Sequence, residues 1–89
     1  MNDQSKISAP LEEISFTDLH ISDLNPRKEI NDASIAALAE NIKAYGLIQN
    51  LAGFRDKAGV GVVVGGRRYR ALKLLQDDER FQVVTIKMA

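Results

Sequence analysis

The chain has 89 residues, 45% apolar and 27% charged, with 12 basic and 12 acidic side chains, one histidine and no cysteine. That length supports a single small domain that hides roughly 60–70% of its unfolded surface, with the balance of a globular rather than a disordered chain. Disulfide and thiol chemistry are excluded, a lone histidine argues against a zinc site, and no apolar run approaches the ~18 residues of a membrane span.

In chain order, residues 1–13 lack periodicity, contain Pro10 and read as a flexible N-terminal segment without the apolar core of a signal peptide, which points to the cytoplasm. Ile14 to Ile21 alternates weakly and predicts one short strand. Asn25-Pro26 stops regular structure, since proline lacks an N–H and biases its predecessor towards extended geometry. The clearest helix follows. Asp32 is placed to cap it, Ile35, Leu38, Ile42 and Tyr45 form an apolar stripe, and Gly46 can take the left-handed conformation that ends it.

Leu47 to Phe54 reads as a turn and a strand, and Asp56-Lys57-Ala58-Gly59 as a hairpin turn. Val60, Val62, Val63 and Val64 form a β-branched run expected to be buried on both faces. It stops at Gly65-Gly66, and a second helix is expected from about Arg67 to Gln76. Asp77-Asp78-Glu79 reads as a turn, and Phe81 to Ile86 as a last strand. The order is β-α-β-β-α-β, an α+β fold with a small mixed sheet and two main helices over residues 14–89.

Charge is distributed unevenly: residues 1–45 carry four bases and eight acids, residues 46–89 eight bases and four acids. Arg67, Arg68, Arg70 and Lys73 follow one another with no acid among them, which suggests a local anion site. The segment Val62-Val63-Val64-Gly65-Gly66-Arg67-Arg68 runs a strand through two glycines into a helix. The first amides of a helix have no internal partner and lie at the positive end of its dipole. Glycine lets a phosphate approach that backbone closely. Arginines in a first helical turn oppose the dipole by about 0.3–1 kcal/mol each, and a bound polyanion would relieve this. Arg67 and Arg68 are the candidates for bidentate phosphate contacts. The local pattern fits a tight turn with a solvated arginine face equally well. It is neither a Walker loop nor a dinucleotide fingerprint.

Asn25-Pro26-Arg27 supplies a rigid corner with another guanidinium, and Gly46 to Gln49 a loop after the first helix. His20 has no catalytic partner in the sequence and reads as a half-exposed strand residue. Tyr45 and Tyr69 read as packing residues rather than stacking platforms. Paired carboxylates for a metal or for acid/base work are not evident.

Taken together, Asn25-Pro26-Arg27, Ser34-Ile35 through Gly46-Leu47-Ile48-Gln49-Asn50, and Val63-Val64-Gly65-Gly66-Arg67-Arg68-Tyr69-Arg70-Ala71-Leu72 resemble the N-terminal domain of ParB-family partition proteins. The likeness spans roughly residues 14–88 and implies a ParB/sulfiredoxin-like fold. The resemblance also implies a regulatory domain of a plasmid or chromosome partition protein that binds CTP, with Mg2+ as an accompanying ion, to switch a homodimer into a clamp on DNA. It further implies a ParA-type ATPase as partner, no membrane, and DNA contact through a helix-turn-helix domain absent here. By position, Gly65, Gly66, Arg67 and Arg68 match the family's phosphate motif, Arg27 its Gln-Pro-Arg arginine, and Gly46 and Gln49 the loop near the base.

The sequence departs from the family pattern in two places. Gly66 stands where many members have glutamate, and Asn25 and Asn50 stand where they often have glutamine and proline. The family's Glu-Asn motif would lie beyond Ala89, so a fragment of a longer chain, or a stand-alone relative, is expected. The alternative is a nuclease or phosphotransferase of the same superfamily, for which a carboxylate near the anion seat would be needed; Glu29 and Asp32 are the nearest by sequence. A CTPase activity of the whole protein stays open, as does a pure interaction module with no nucleotide role.

Overall fold

A computed structural model describes residues 10–24 and 32–88. Five strands form one mixed sheet: β1 Leu11–Ser15, β2 Leu19–Ile21, β3 Leu51–Asp56, β4 Gly59–Val64 and β5 Val83–Met88. Their spatial order is β1-β5-β3-β4-β2. The β1–β5 and β3–β4 pairs are antiparallel, and β2–β4 and β3–β5 are parallel. Helix α1 spans Asp32–Tyr45 and helix α2 spans Gly66–Lys73. This is the α+β class expected, with two helices and a mixed sheet.

The difference lies at the start. The segment read as one strand is two, separated by a 3-10 turn at Phe16–Asp18, so the order gains a strand: β-β-α-β-β-α-β. Three residues of the expected flexible segment, Leu11 to Glu13, belong to β1. Their order comes from long-range pairing, Leu11 opposite Lys87 and Glu13 opposite Thr85, which no local periodicity announces. Two further backbone bonds tie the ends of this strand, Phe16 N–H to the Gln82 carbonyl at 2.9 Å and Met88 N–H to the Pro10 carbonyl at 2.8 Å.

The core gathers Ile14 and Leu19 from the N-terminal strands, Phe16 from the turn between them, and Ile35, Ala39 and Ile42 from α1. Leu51, Val60, Val62, Val84 and Ile86 come from the sheet, and Ala71 and Leu72 from α2. β5 alternates as a strand covered on one face should, with Val84, Ile86 and Met88 buried and Val83 and Lys87 exposed. The valine run of β4 corrects an expectation. Val60 and Val62 are fully buried, but Val64 is 59% exposed, because the register shift opposite Ala52 and Gly53 breaks the alternation and turns Val64 to the face that no described helix covers. Tyr45 likewise falls off the expected stripe and is 73% exposed; Ala39 occupies the buried position instead.

α2 is shorter than expected, ending at Lys73. Asp78 then caps a 3-10 turn at Glu79–Phe81 by accepting from the Arg80 N–H at 3.0 Å. Phe81 is buried in that turn rather than opening the last strand.

Two leucines at the end of α2, one within it and one just past it, give a direct check of the packing. Leu72 is fully buried while Leu74, just past the helix, is 60% exposed. Leu72→Ala is expected to destabilise the fold by about 2–5 kcal/mol, and Leu74→Ala by no more than about 0.5 kcal/mol, read from urea denaturation midpoints.

Candidate functional site

The start of α2 is fixed by Gly65. Its φ of 100° is left-handed, and a Cβ there would lie 2.5 Å from Leu51 Cδ2. The residue must therefore be glycine on both conformational and steric grounds. Its carbonyl accepts the Tyr69 N–H at 2.9 Å, the first bond of the helix. As N-cap it has no side chain to satisfy the opening amides. Gly66 is the first helical residue, followed by Arg67 and Arg68.

The helix is held in place from both sides. Tyr69 stacks on Phe16 with ring centroids 5.0 Å apart, and its hydroxyl donates to the Leu19 carbonyl at 3.3 Å. That is the packing role expected of it. The arginines turn the other way, towards α1. Arg67 Nη2 donates to the Ser34 hydroxyl in the first turn of α1. Arg68 Nη2 donates to the Gln49 side-chain oxygen in the loop after α1. Both partners are neutral, so neither guanidinium charge is cancelled by its hydrogen bond. Among the described residues the arginine–carboxylate pairs lie elsewhere, Arg55 with Glu12 and Arg80 with Asp78.

Gly46 ends α1 with φ of 83° and donates to the Ile42 carbonyl at 2.7 Å, as its position suggested. From there the loop folds over a cleft of about 250 Å³, walled by Leu38, Asn41, Ile42, Leu47, Gln49 and Arg68. Arg68 thus shares its cleft with Gly46 and Gln49, the residues matched to the base-side loop, while Arg67 is tied one helical turn nearer the start of α1. Gly65, Gly66 and Arg67 lie outside this cleft wall. Arg27 and Asn25-Pro26, with Glu29, fall outside the described residues.

A second cleft of about 290 Å³ lies on the other side of Gly46, against Leu72, Phe81, Val84 and Arg80. Its cation is already engaged. Arg80 pairs with Asp78 at 2.7 Å, lies 4.8 Å above the Phe81 ring and donates to the Lys43 carbonyl at 3.2 Å. Hydrogen bonding from the Arg80 side chain holds the Asp78 carboxyl below its usual range. The cleft beside Arg68 is therefore the better anion site, though the smaller.

His20 is a half-exposed strand residue, as expected, but it has a carboxylate partner that the sequence did not announce. Its Nε2 donates to Asp56 at 3.0 Å, across Gly61 of β4. A Cβ on Gly61 would come within 2.8 Å of Asp56 Oδ2. Its Nδ1 faces the Ile21 carbonyl at 3.2 Å. Both ring nitrogens thus meet acceptors, which favours the imidazolium. The hydrogen bond to Asp56 raises the His20 pKa above 6.5, and the same bond lowers that of Asp56 below 3.8. The pair sits on the sheet face away from Arg67 and Arg68, because the neighbouring Val60 and Val62 point to the core. Among the described residues no three His, Asp or Glu side chains converge as a metal site would need.

The chain matches the ParB N-terminal domain family over residues 1–88. It belongs to that family. It is 38% identical over 64 residues to stage 0 sporulation protein J of Bacillus subtilis, covering 72% of this chain and 23% of that protein. The fold is similar to that of C-terminally truncated ParB from Caulobacter crescentus complexed with CTP-gamma-S. There the TM-score is 0.78 at 19% identity, over 90% of this chain and 44% of the other. The same Caulobacter protein complexed to the centromeric parS site matches with a TM-score of 0.64 at 17% identity, over 88% of this chain and 38% of the other. This ParB-family domain therefore spans less than half the length of each of these relatives. No helix among its described residues is long and apolar enough to cross a membrane.

The sequence reading gave no role to one residue of the site, Ser34, and missed one bridge outside it. Ser34 is an unremarkable serine in an alanine-rich helix, and its contact with Arg67 joins residues 33 apart. The His20–Asp56 bridge joins residues 36 apart across an intervening strand.

The bridge makes a pH prediction. The raised His20 pKa adds stability that is lost as pH rises through the folded value, and the lowered Asp56 pKa adds stability that is lost as pH falls below 3.8. Wild type should exceed Asp56→Asn in stability most near about pH 5, and the two should converge in alkali. By NMR the single histidine should titrate above 6.5 in wild type and return towards 6.5 in Asp56→Asn; an unchanged midpoint contradicts the assignment.

Proposed function

We propose that the chain is the nucleotide-binding regulatory domain of a partition protein, and that it binds a nucleoside triphosphate to control clamping of the whole protein on DNA. CTP is the proposed nucleotide, since a Caulobacter ParB of similar fold is complexed with CTP-gamma-S. The observation that carries the reading is the pairing of a glycine-capped helix start with two arginines tethered only to neutral acceptors among the described residues.

The residues present fit such a ligand. The amides opening α2 face no capping side chain, and a triphosphate supplies the oxygens they lack. Arg67 and Arg68 retain charge for phosphate, and guanidinium forks suit it. The cleft of about 250 Å³ lies just under the roughly 300–1,000 Å³ of small-molecule sites, a size for the base and sugar with phosphates outside along α2. In this proposal Gly46 and Gln49 lie at the base, Gly65, Gly66, Arg67 and Arg68 at the phosphates, and Arg27 joins them by its motif position. When bound, the triphosphate supplies polyanionic charge and Mg2+ arrives with it. A homodimer, a ParA-type ATPase and parS-like DNA are the proposed partners of the whole protein, and the cytoplasm its place. Nothing in the described residues favours the nuclease or phosphotransferase alternative, which needs carboxylates beside this seat.

Calorimetry of the chain with CTP, GTP, ATP and UTP tests the proposal. CTP is expected to bind, and Arg68→Ala to weaken it by about 10–100-fold, the value of a charged hydrogen bond. Absence of heat with all four nucleotides, in a folded sample, overturns it.

A further inference from the structure

We infer that Ser34 is a positioning residue for Arg67, a neutral tether that holds the guanidinium at the start of α1 while leaving its charge for the ligand. The inference rests on the nucleotide reading above and deepens it. Arg67 is exposed and Ser34 half-buried, so the bond between them orders a long surface side chain that would otherwise lose its rotamer freedom only on binding. From Ala33 to Ala39 the Ser34 hydroxyl is the one side-chain acceptor in the sequence, and Asp32 precedes it by two residues.

The chemistry of the acceptor matters. Two other arginines among the described residues are met by carboxylates, Arg55 by Glu12 and Arg80 by Asp78. A carboxylate at position 34 would make Arg67 a third such pair and compete with an incoming anion. A hydroxyl fixes the same geometry without competing. Placement gives this tether a share of the ligand distinct from that of Gln49. Arg68 lies with Gln49 in the cleft against Leu38 and Ile42, and Ser34 lies one turn before Leu38. A nucleotide whose base and sugar fill the cleft runs its phosphates past Arg68 towards Arg67 and Ser34.

Calorimetry with CTP, and with inorganic tripolyphosphate as a probe lacking base and sugar, tests this on the 89-residue chain and its Ser34→Thr, Ser34→Ala and Ser34→Asp variants, with a thermal melt of each. Ser34→Asp is expected to weaken both ligands about tenfold or more, while its melting temperature holds or rises, because an acid in a first helical turn complements the dipole. Ser34→Thr is expected to bind within about twofold of wild type, and Ser34→Ala a few-fold more weakly. A merely structural serine would leave both affinities unchanged in Ser34→Asp. That result overturns the inference and leaves the nucleotide reading standing. Should Ser34→Asp not fold, equal affinities for Ser34→Ala and wild type overturn it. Failure of wild type to bind either ligand overturns the nucleotide reading, and this inference with it.

Discussion

At Gly65 the chain leaves β4 with a left-handed φ of 100°, its α-carbon pressed towards the buried side chain of Leu51. Any side chain at that position would meet Leu51 or force the backbone into a region L-residues rarely adopt. The direction of α2 follows from that one constraint. Tyr69 then reaches back to Phe16 and Leu19, and the opposite side of the first turn delivers Arg67 and Arg68 to α1. Helix start, arginines and loop are thus assembled by a single turn, pinned against the core from the sheet side.

The electrostatics of that arrangement are locally unfavourable and remain so within the described residues. Two guanidiniums sit in the first turn of a helix, where the dipole opposes them. Their hydrogen bonds go to a hydroxyl and an amide oxygen, which fix geometry and leave charge. Elsewhere among the described residues Arg55 and Arg80 are paired with acids. The contrast is local, so net charge, which is balanced over the whole sequence, hides it. The His20–Asp56 bridge on the far face of the sheet belongs to the second kind: it ties β2 to β3 across β4 and is a matter of stability.

Much of this was legible in the sequence because its signals are short-range. Gly46 announces a left-handed helix end, the stripe of Ile35 and Ile42 announces α1, and the break from valines to Gly65-Gly66-Arg67-Arg68 announces a helix start under positive charge. What was not legible depends on contacts between distant residues. β1 exists because β5 offers it an edge. Val64 and Tyr45 are exposed because no described residue covers that part of the sheet or helix. Arg68 shares a cleft with Gln49, and Arg67 finds Ser34, through the packing of α2 on α1. Such partners carry no spacing rule in the sequence.

The central claim is that the amides opening α2 are an anion seat. A 15N–1H correlation spectrum of the labelled chain, titrated with CTP, tests it most directly. The account predicts saturable shifts at the amides of Gly66, Arg67 and Arg68 and in the Gly46–Gln49 loop, with β1 and β5 unmoved. Shifts confined to other elements, or none at saturating nucleotide, would contradict it.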